Sequence, residues 1–287
     1  MKLLNGKIVS DIIKDDLKNI VDDMRNNKNI KVCLSVIQVG DDPASSVYVR
    51  NKKKACEYIG IDCDLIKLSN DVSQNDIENI IEILNHDNRV NGIMVQLPLP
   101  KHLNERKILS KIYPSKDVDG FSEYNVGSLM LGNGDIVACT PSGIIKILEH
   151  YNIDIAGKEC VVVGRSNIVG KPMAMLLLQN NGTVTICHSK TQLLTEICKR
   201  ADILVCAIGK PKYFNKDYIK DGAVVIDVGI HRMDDGKLCG DVDFEDVKDI
   251  VSAITPVPNG VGKVTVAMLM HNCVQAARKQ HEGILRW

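Results

Sequence analysis

Strand-like and helix-like segments alternate along almost the whole chain of 287 residues. In the first half, mostly apolar runs at 31–39, 61–68 and 91–97 predict strands, and helices are predicted between them at 44–59 and from Ser73 onward. Continuous apolar runs are typical of strands that are covered on both faces. A β-α-β-α-β series of this kind predicts a parallel sheet with helical crossovers.

A second series begins near residue 159. Its predicted strands are 159–163, 183–187, 202–208, 223–229 and 249–254, with helices between the first three. The fold class is therefore α/β, with two domains that each contain a parallel sheet flanked by helices and with a cleft between them. We predict a first domain at 1–139, completed by a C-terminal helix at 264–287, and a second domain at 140–263.

Composition excludes several classes of protein. Lysine plus arginine total 36 and aspartate plus glutamate also total 36, so no net charge attracts nucleic acid or an anionic membrane. No apolar run approaches the ~20 residues of a membrane-spanning helix, and the N-terminal segment turns acidic too early for a signal peptide. The ten cysteines lack metal-site spacing. We expect a reduced, cytoplasmic protein without a bound metal.

The stretch 161–172, VVVGRSNIVGKP, is the strongest local signal. A β-branched run ends at Gly164, and a short polar bend leads to Gly170 and a helix. This arrangement directs backbone N–H groups and a helix N-terminus at a phosphate, which predicts a Rossmann-type nucleotide-binding loop. It departs from G-x-G-x-x-G, because Ser166 occupies the middle glycine position. A plain strand-to-helix connection is the alternative interpretation.

The end of the second strand in this series indicates which nucleotide is bound. NAD-binding domains usually place an acidic residue there, on the ribose hydroxyl. Here His188, Ser189 and Lys190 follow the strand, with no acid among them. Hydroxyl and cationic groups, together with Arg165 in the loop, favour a 2′-phosphate and hence NADP. The alternative is that His188 and Lys190 merely face solvent.

Four polar residues form a second constellation, in the first domain. Tyr48 and Lys52 lie four apart, so they share one face of a predicted helix. Gln96 emerges at the end of the third strand, where ligands of parallel sheets bind, and Asp119 lies in a connection beside a glycine. We expect all four to converge on the cleft. The alternative is that the lysine run 52–54 is only a solvated helix face.

Five motifs, in this order and spacing, resemble the bifunctional methylenetetrahydrofolate dehydrogenase/methenyltetrahydrofolate cyclohydrolase family: PSKDVDG, GRSNIVGKPMA, CHSKT, DVGI and ITPVPNGVG. The similarity covers essentially the full length. It implies oxidation of 5,10-methylenetetrahydrofolate with NADP and hydrolysis of the methenyl product to 10-formyltetrahydrofolate in the same cleft. It also implies a role in one-carbon metabolism, tetrahydrofolate derivatives as partners, and a homodimer.

The resemblance assigns roles to individual residues. It makes Lys52 the catalytic lysine, oriented by Gln96, with Tyr48 stacking on or bonding the folate and Asp119 gripping the pterin. A lysine serves this purpose only if its pKa falls from ~10.4 toward neutrality, which burial or positive charge brings about. Further substrate-binding residues implied by the family are Leu97, Pro98, Pro258 and Gly262. The implied cofactor-binding residues are Thr140, Gly164, Arg165, Ser166, Ile168, His188, Ser189 and Ile230.

The chain departs from the family pattern at Ala138, Asn259, Lys263 and Val264, in two loops expected near the ligands. These changes leave the balance of the two activities open. Two alternatives are a dehydrogenase-only enzyme of the same fold and a non-catalytic, NADP-responsive regulator. Lys52 and Gln96 argue against the first, and the second gives no reason for the four polar residues to occur together.

Overall fold

The chain was analysed as a computed structural model, which describes residues 1–282 apart from the side chains of Pro43 and Ala44. The end of the predicted C-terminal helix, residues 283–287, lies outside the described residues. The chain divides into two compact units. The three-stranded unit contains residues 12–139 and those from 266 onward, and the six-stranded unit contains residues 1–11 and 140–265.

The elements follow in chain order. The strands are β1 (Lys2–Leu3), β2 (Cys33–Val39), β3 (Asp62–Leu68), β4 (Gly92–Val95), β5 (Glu159–Val163), β6 (Thr183–Cys187), β7 (Ile203–Cys206), β8 (Val224–Asp227), β9 (His231–Arg232), β10 (Leu238–Cys239) and β11 (Ala253–Ile254). The α-helices are α1 (Gly6–Lys28), α2 (Pro43–Ile59), α3 (Gln74–His86), α4 (Glu105–Leu109), α5 (Glu123–Met130), α6 (Cys139–His150), α7 (Gly170–Gln179), α8 (Leu194–Cys198), α9 (Phe244–Val247) and α10 (Val261–His281). A short 3₁₀ turn spans Lys216–Tyr218.

Local chemistry explains where the helices of the three-stranded unit begin and end. Asp42 accepts a hydrogen bond from the backbone N–H of Ser45 at 2.7 Å and so caps α2. Gly60 ends α2 in the left-handed conformation, with φ of 90°, as expected for a glycine after a helix. Ser73 caps α3 through the N–H of Asp76, and its own hydroxyl donates to the Asp76 carboxylate. The helix predicted from Ser73 onward is confirmed.

The sheet of the three-stranded unit is parallel, in the order β3-β2-β4. Every residue of the central strand β2 is buried, including the polar Ser35 and Gln38, as its mostly apolar pattern predicts. Its Ile37 packs in one core cluster with Ile77 and Ile81 of α3 and with Ile93 of β4. Burial of this apolar surface stabilises the unit, because each fully buried aliphatic side chain contributes about 1.5–3 kcal/mol. The strand order reverses at β2, which places a ligand-binding edge beside the ends of β2 and β4.

The sheet of the six-stranded unit has the order β1-β11-β8-β7-β5-β6, and its strands all run parallel. The order reverses between β5 and β7, which is the switch point where doubly wound sheets bind nucleotides. The fold class predicted from the sequence is thus confirmed for both sheets. The cleft expected between the domains stays a prediction.

The structure differs from the sequence-based assignment at two places. The first residues belong with the six-stranded unit and not with the first domain, because the N–H groups of Lys2 and Leu4 bond to Ser252 and Ile254 at 2.6 and 2.8 Å. The predicted strand 249–254 is shortened to β11. Its first part turns instead, since the N–H of Val251 bonds back to Val247.

Among the described residues, no helix is both long and apolar enough to cross a membrane.

Candidate functional site

Lys52 differs from its two neighbours in the lysine run of α2. Its side chain is half-buried, whereas Lys53 and Lys54 are exposed. The Lys52 ammonium Nζ donates to Gln96 Oε1 at 2.9 Å and lies 3.2 Å from Met94 Sδ. The solvated-face interpretation therefore fits Lys53 and Lys54 but fails for Lys52.

Gln96 presents its carbonyl oxygen to this lysine because its other contacts fix the amide. It follows β4 at the carboxyl edge of the sheet and is 8 % exposed. Its backbone N–H bonds to Ile37 O at 2.8 Å, and its side-chain NH₂ donates to Leu97 O at 2.6 Å. With the amide nitrogen committed to a carbonyl, only the oxygen is free to accept from Lys52.

Asp119 lies in a loop that is held in shape by a buried neighbour. Asp117 accepts hydrogen bonds from the N–H of Gly120 at 3.1 Å, the N–H of Ser122 at 2.6 Å and the side chain of Asn125 at 3.0 Å. Gly120 has φ of 74°, and a Cβ there would lie 2.7 Å from the N of residue 138, so a glycine is required. Asp119 is thereby fixed close enough to Lys52 for their charges to interact.

Electrostatics prepare this pair for proton transfer. Burial lowers the pKa of Lys52 from its ordinary value, and the negative charge of Asp119 partly opposes that shift. Burial raises the pKa of Asp119 to about 7, against the effect of the Lys52 charge. Both groups therefore change protonation closer to neutral pH than they do in water, which suits acid–base chemistry.

Asn272 is a residue that sequence reasoning missed. It is 2 % exposed on α10, and its side-chain NH₂ donates to Val118 O and Val137 O at 2.9 Å each. It also approaches the Sγ of Cys139 at 3.5 Å, a buried thiol whose pKa burial raises well above its usual value. Asn272 ties together the two segments that flank Asp119. Its position on α10 gives no distinctive signal, because other polar residues, such as His271 and Gln275, lie on the same helix.

The remaining predicted substrate residues fall in different places. Tyr48 lies one turn before Lys52 on α2 and is 42 % exposed, so its ring offers free surface to a ligand. Leu97 is half-buried and Pro98 is exposed, directly after Gln96. These residues belong to the three-stranded unit, together with Lys52, Gln96 and Asp119. Pro258 and Gly262 belong to the six-stranded unit, just before α10 and in its first turn.

The predicted nucleotide loop has its two glycines packed against backbone. A Cβ on Gly170 would lie 2.1 Å from Gly164 O, and a Cβ on Gly164 would lie 2.4 Å from Ala207 O. Ser166 Oγ accepts hydrogen bonds from the N–H groups of Val169 and Gly170 at 3.1 and 3.3 Å. Glycine is thus needed for close backbone approach, while Ser166 shapes the bend that leads into α7.

The turn after β6 exposes the polar side chains of Ser189 and Lys190 to a ligand. Its backbone is fixed by the His188 N–H, which donates to Thr191 Oγ1 at 2.9 Å, and by the Lys190 N–H, which donates to His188 Nδ1 at 3.2 Å. Ser189, Lys190 and the loop residue Arg165 are exposed.

Three further cofactor candidates also lie in the six-stranded unit. Ile168 and Ile230 are each 43 % exposed. Thr140 Oγ1 shares a hydrogen bond with Thr265 Oγ1 at 3.0 Å. Within residues 1–282 no group of His, Cys, Asp or Glu is arranged to hold a metal ion.

The four departures from the family pattern differ in exposure. Ala138 and Val264 are buried, at 2 % and 0 % exposed. Asn259 has φ of 74°, a conformation that glycine adopts readily and asparagine tolerates. Lys263 is exposed in the first turn of α10, where a cation gains nothing from the helix dipole.

The site has two parts, each at the switch point of a parallel sheet. One is a glycine-bounded bend and the other is a lysine–amide–carboxylate cluster. Together they are typical of a nucleotide-dependent enzyme. Sequence models of the tetrahydrofolate dehydrogenase/cyclohydrolase family match the chain twice. The catalytic domain matches residues 4–119 and the NAD(P)-binding domain matches residues 138–281. The chain therefore belongs to this family.

Individual relatives agree over nearly the full length. A bifunctional protein FolD of Agathobacter rectalis is 58 % identical, with 96 % of this chain and 99 % of that protein covered. The crystal structure of the Campylobacter jejuni FolD dehydrogenase/cyclohydrolase superposes with a TM-score of 0.95 at 48 % identity, covering 98 % and 99 % of the chains. The Trypanosoma brucei enzyme, crystallised with NADP and inhibitor, has a TM-score of 0.92 at 37 % identity, covering 97 % and 98 %.

The raised pKa of Asp119 predicts a pH-dependent stability. Because the folded state favours the protonated carboxyl, its contribution to stability is complete below about pH 4 and is lost as pH rises toward about 7. Relative to the Asp119→Asn variant, the unliganded wild type should therefore lose stability across this range. Thermal unfolding of both proteins at several pH values measures the difference. Asp22→Asn, an exposed change on α1, is the control, and a difference independent of pH would contradict the assignment.

Proposed function

We propose that this protein oxidises 5,10-methylenetetrahydrofolate with NADP and then hydrolyses the methenyl product to 10-formyltetrahydrofolate. The observation that carries the proposal is the 2.9 Å hydrogen bond from Lys52 Nζ to Gln96 Oε1, beside the half-buried Asp119. Family membership over both domains supports it.

Hydrolysis requires the proton movements that Lys52 is suited to make. Water adds to the amidinium carbon of the methenyl group, and neutral Lys52 accepts the proton that this water releases. The bond from that carbon to one ring nitrogen then breaks, the nitrogen takes a proton, and one proton is released overall. Gln96 orients Lys52 throughout, and the pKa lowered by burial supplies the neutral amine.

Substrate binding is assigned to the surrounding residues. The Asp119 carboxylate accepts hydrogen bonds from pterin N–H groups, an arrangement that favours its ionised form once the ligand is present. Tyr48 offers its exposed ring to the folate. Leu97 and Pro98 border the same edge of the sheet, and Pro258 and Gly262 are the assigned substrate residues of the six-stranded unit.

Oxidation needs no protein acid or base. Bound NADP would supply the hydride acceptor for the methylene carbon, and the adjacent nitrogen lone pair of the folate would stabilise the resulting cation. The protein holds the two reactants close together and in the correct relative orientation. Gly164, Arg165 and Ser166 are assigned to the phosphates, and His188 and Ser189 to the 2′-phosphate. Thr140, Ile168 and Ile230 complete the assigned cofactor surface.

The main test is a paired assay on one preparation. Purified protein given methylenetetrahydrofolate and NADP should release 10-formyltetrahydrofolate faster than methenyltetrahydrofolate hydrolyses spontaneously. The Lys52→Met variant should lose about 10²-fold or more of the hydrolysis rate because the base is removed, while retaining NADP binding. Lys53→Met, its exposed neighbour on α2, is the matched control and should hydrolyse normally.

Other results of this assay identify the alternatives. Accumulation of the methenyl species by the wild type would indicate a dehydrogenase-only enzyme. NADP binding without turnover of either substrate would indicate a regulator. Normal hydrolysis by Lys52→Met would show that another group is the base.

The cofactor assignment gives a second prediction. At low cofactor concentration, NADP should be turned over faster than NAD, because no carboxylate follows β6 to repel a 2′-phosphate. Ser189→Asp introduces that carboxylate and should reduce the preference by about ten-fold or more. Thr183→Asp, exposed at the opposite end of the same strand, should leave it unchanged. Equal rates with both cofactors in the wild type would refute the assignment.

Assembly and location follow the family resemblance. We expect a homodimer, as the resemblance implies. We expect a cytoplasmic protein because the cysteines of the described chain are free thiols, which is typical of a reducing compartment. Sedimentation equilibrium should give twice the chain mass of 31.7 kDa at micromolar concentration. A single species at the chain mass would contradict the dimer and leave the proposed chemistry untouched.

A further inference from the structure

Asp241 is a fully buried carboxylate, 0 % exposed, that the proposed mechanism does not use. Its oxygens accept hydrogen bonds from the N–H groups of Ile208, Gly209 and Lys210 at 2.7, 3.0 and 2.9 Å. A further bond joins it to His231 Nε2 at 2.8 Å. Three consecutive N–H groups converging on one anion form the kind of concavity that binds phosphates in other proteins.

The loop that Asp241 holds lies at the nucleotide edge of the sheet. Residues 208–210 follow the carboxyl end of β7, which neighbours β5 at the switch point. Ala207, the residue between β7 and this loop, lies against the start of the nucleotide-binding bend, because a Cβ on Gly164 would lie 2.4 Å from Ala207 O. The 208–210 loop therefore begins beside Gly164.

A second buried carboxylate extends this network toward Ile230. Asp227, at the end of β8 and 4 % exposed, accepts hydrogen bonds from the N–H groups of Gly229 and Asp241 at 3.0 and 2.8 Å. Gly229 packs against Asp241 so closely that a Cβ there would lie 2.4 Å from the carboxylate. Ile230 is thus held from both sides, by Asp227 through Gly229 and by Asp241 through His231.

We propose that Asp241 is a positioning residue of the cofactor site, which orders the loops 208–210 and 229–231 for NADP. The inference rests on the proposed NADP-dependent reaction. A buried carboxylate is costly unless it is fully hydrogen-bonded, and this one is paired with donors from two loops at the ligand-binding edge. If Asp241 only stabilised the fold, it would make the same hydrogen bonds, but its loss would not selectively weaken the binding of NADP.

The two activities of this protein separate these roles, because hydrolysis of methenyltetrahydrofolate consumes no NADP. Asp241→Asn keeps the side-chain shape but turns one acceptor oxygen into a donor that faces a backbone N–H. The KM for NADP should rise at least about ten-fold, while hydrolysis proceeds at the wild-type rate. Asp243→Asn is the matched control. It makes the same charge change two residues away, at a half-buried carboxylate 3.7 Å from Lys212 Nζ, and should leave both activities unchanged.

His231→Ala provides a second variant in case Asp241→Asn fails to fold. It removes one bond to Asp241 and leaves the three backbone bonds, so the KM for NADP should rise by a smaller factor. Two results would overturn the proposal. One is a KM for NADP within about two-fold of wild type in every variant that folds. The other is a parallel loss of both activities that follows a fall in melting temperature.

The wild-type assay separates this proposal from the function on which it rests. Absence of NADP turnover in the wild type would overturn the proposed function and this inference with it. Normal wild-type turnover combined with an unaffected Asp241→Asn variant would overturn only the role of Asp241.

Discussion

The partial removal of one ammonium group from water is the constraint on which the proposed chemistry depends. Lys52 makes its hydrogen bond to Gln96 inside a half-buried cluster, and burial lowers its pKa. Lys53, the next residue on the same helix, is exposed and has no comparable burial. The strand that precedes Gln96, the loop that carries Asp119 and the helix that carries Lys52 together keep this one group in place.

Two buried aspartates play comparable parts in the two units. Asp117 accepts hydrogen bonds from Gly120 and Ser122 and fixes the Asp119 loop, and Asp241 accepts hydrogen bonds from residues 208–210 and fixes the loop after β7. In each case a carboxylate without access to solvent satisfies backbone donors that no strand or helix can satisfy. Irregular backbone at the ends of parallel strands is thereby held by hydrogen bonds to a buried side chain.

Much of the fold was predictable because its signals are local. The structure confirms the helices predicted at 44–59 and from Ser73 onward and the strand predicted from the mostly apolar run 31–39, because their signals act within a few residues. The pairing of β1 with β11 was not predictable, because two residues carry no periodic pattern and their partners lie about 250 positions away. The grouping of residues 1–11 with the six-stranded unit depends on that pairing.

The residues of the candidate site also divide into those that the sequence predicts and those that it does not. Spacing on one helix and the end of one strand were enough to select Lys52 and Gln96, and the family resemblance added their roles. Asp241 and Asn272 gave no such signal, since their partners are backbone groups that become neighbours only after folding. A sequence shows which side chains are available for chemistry, but it does not show which carbonyl or N–H group needs one.

The contacts of Asn272 bear on how the enzyme is made. This residue near the end of the chain donates to Val118 O and Val137 O, across 154 and 135 positions of sequence. A nascent chain that already carries Lys52, Gln96 and Asp119 therefore lacks the clamp on the Asp119 loop until α10 has left the ribosome. Synthesis of the segment that carries Asp119 and completion of its shape are thus separated by the translation of about half of the molecule.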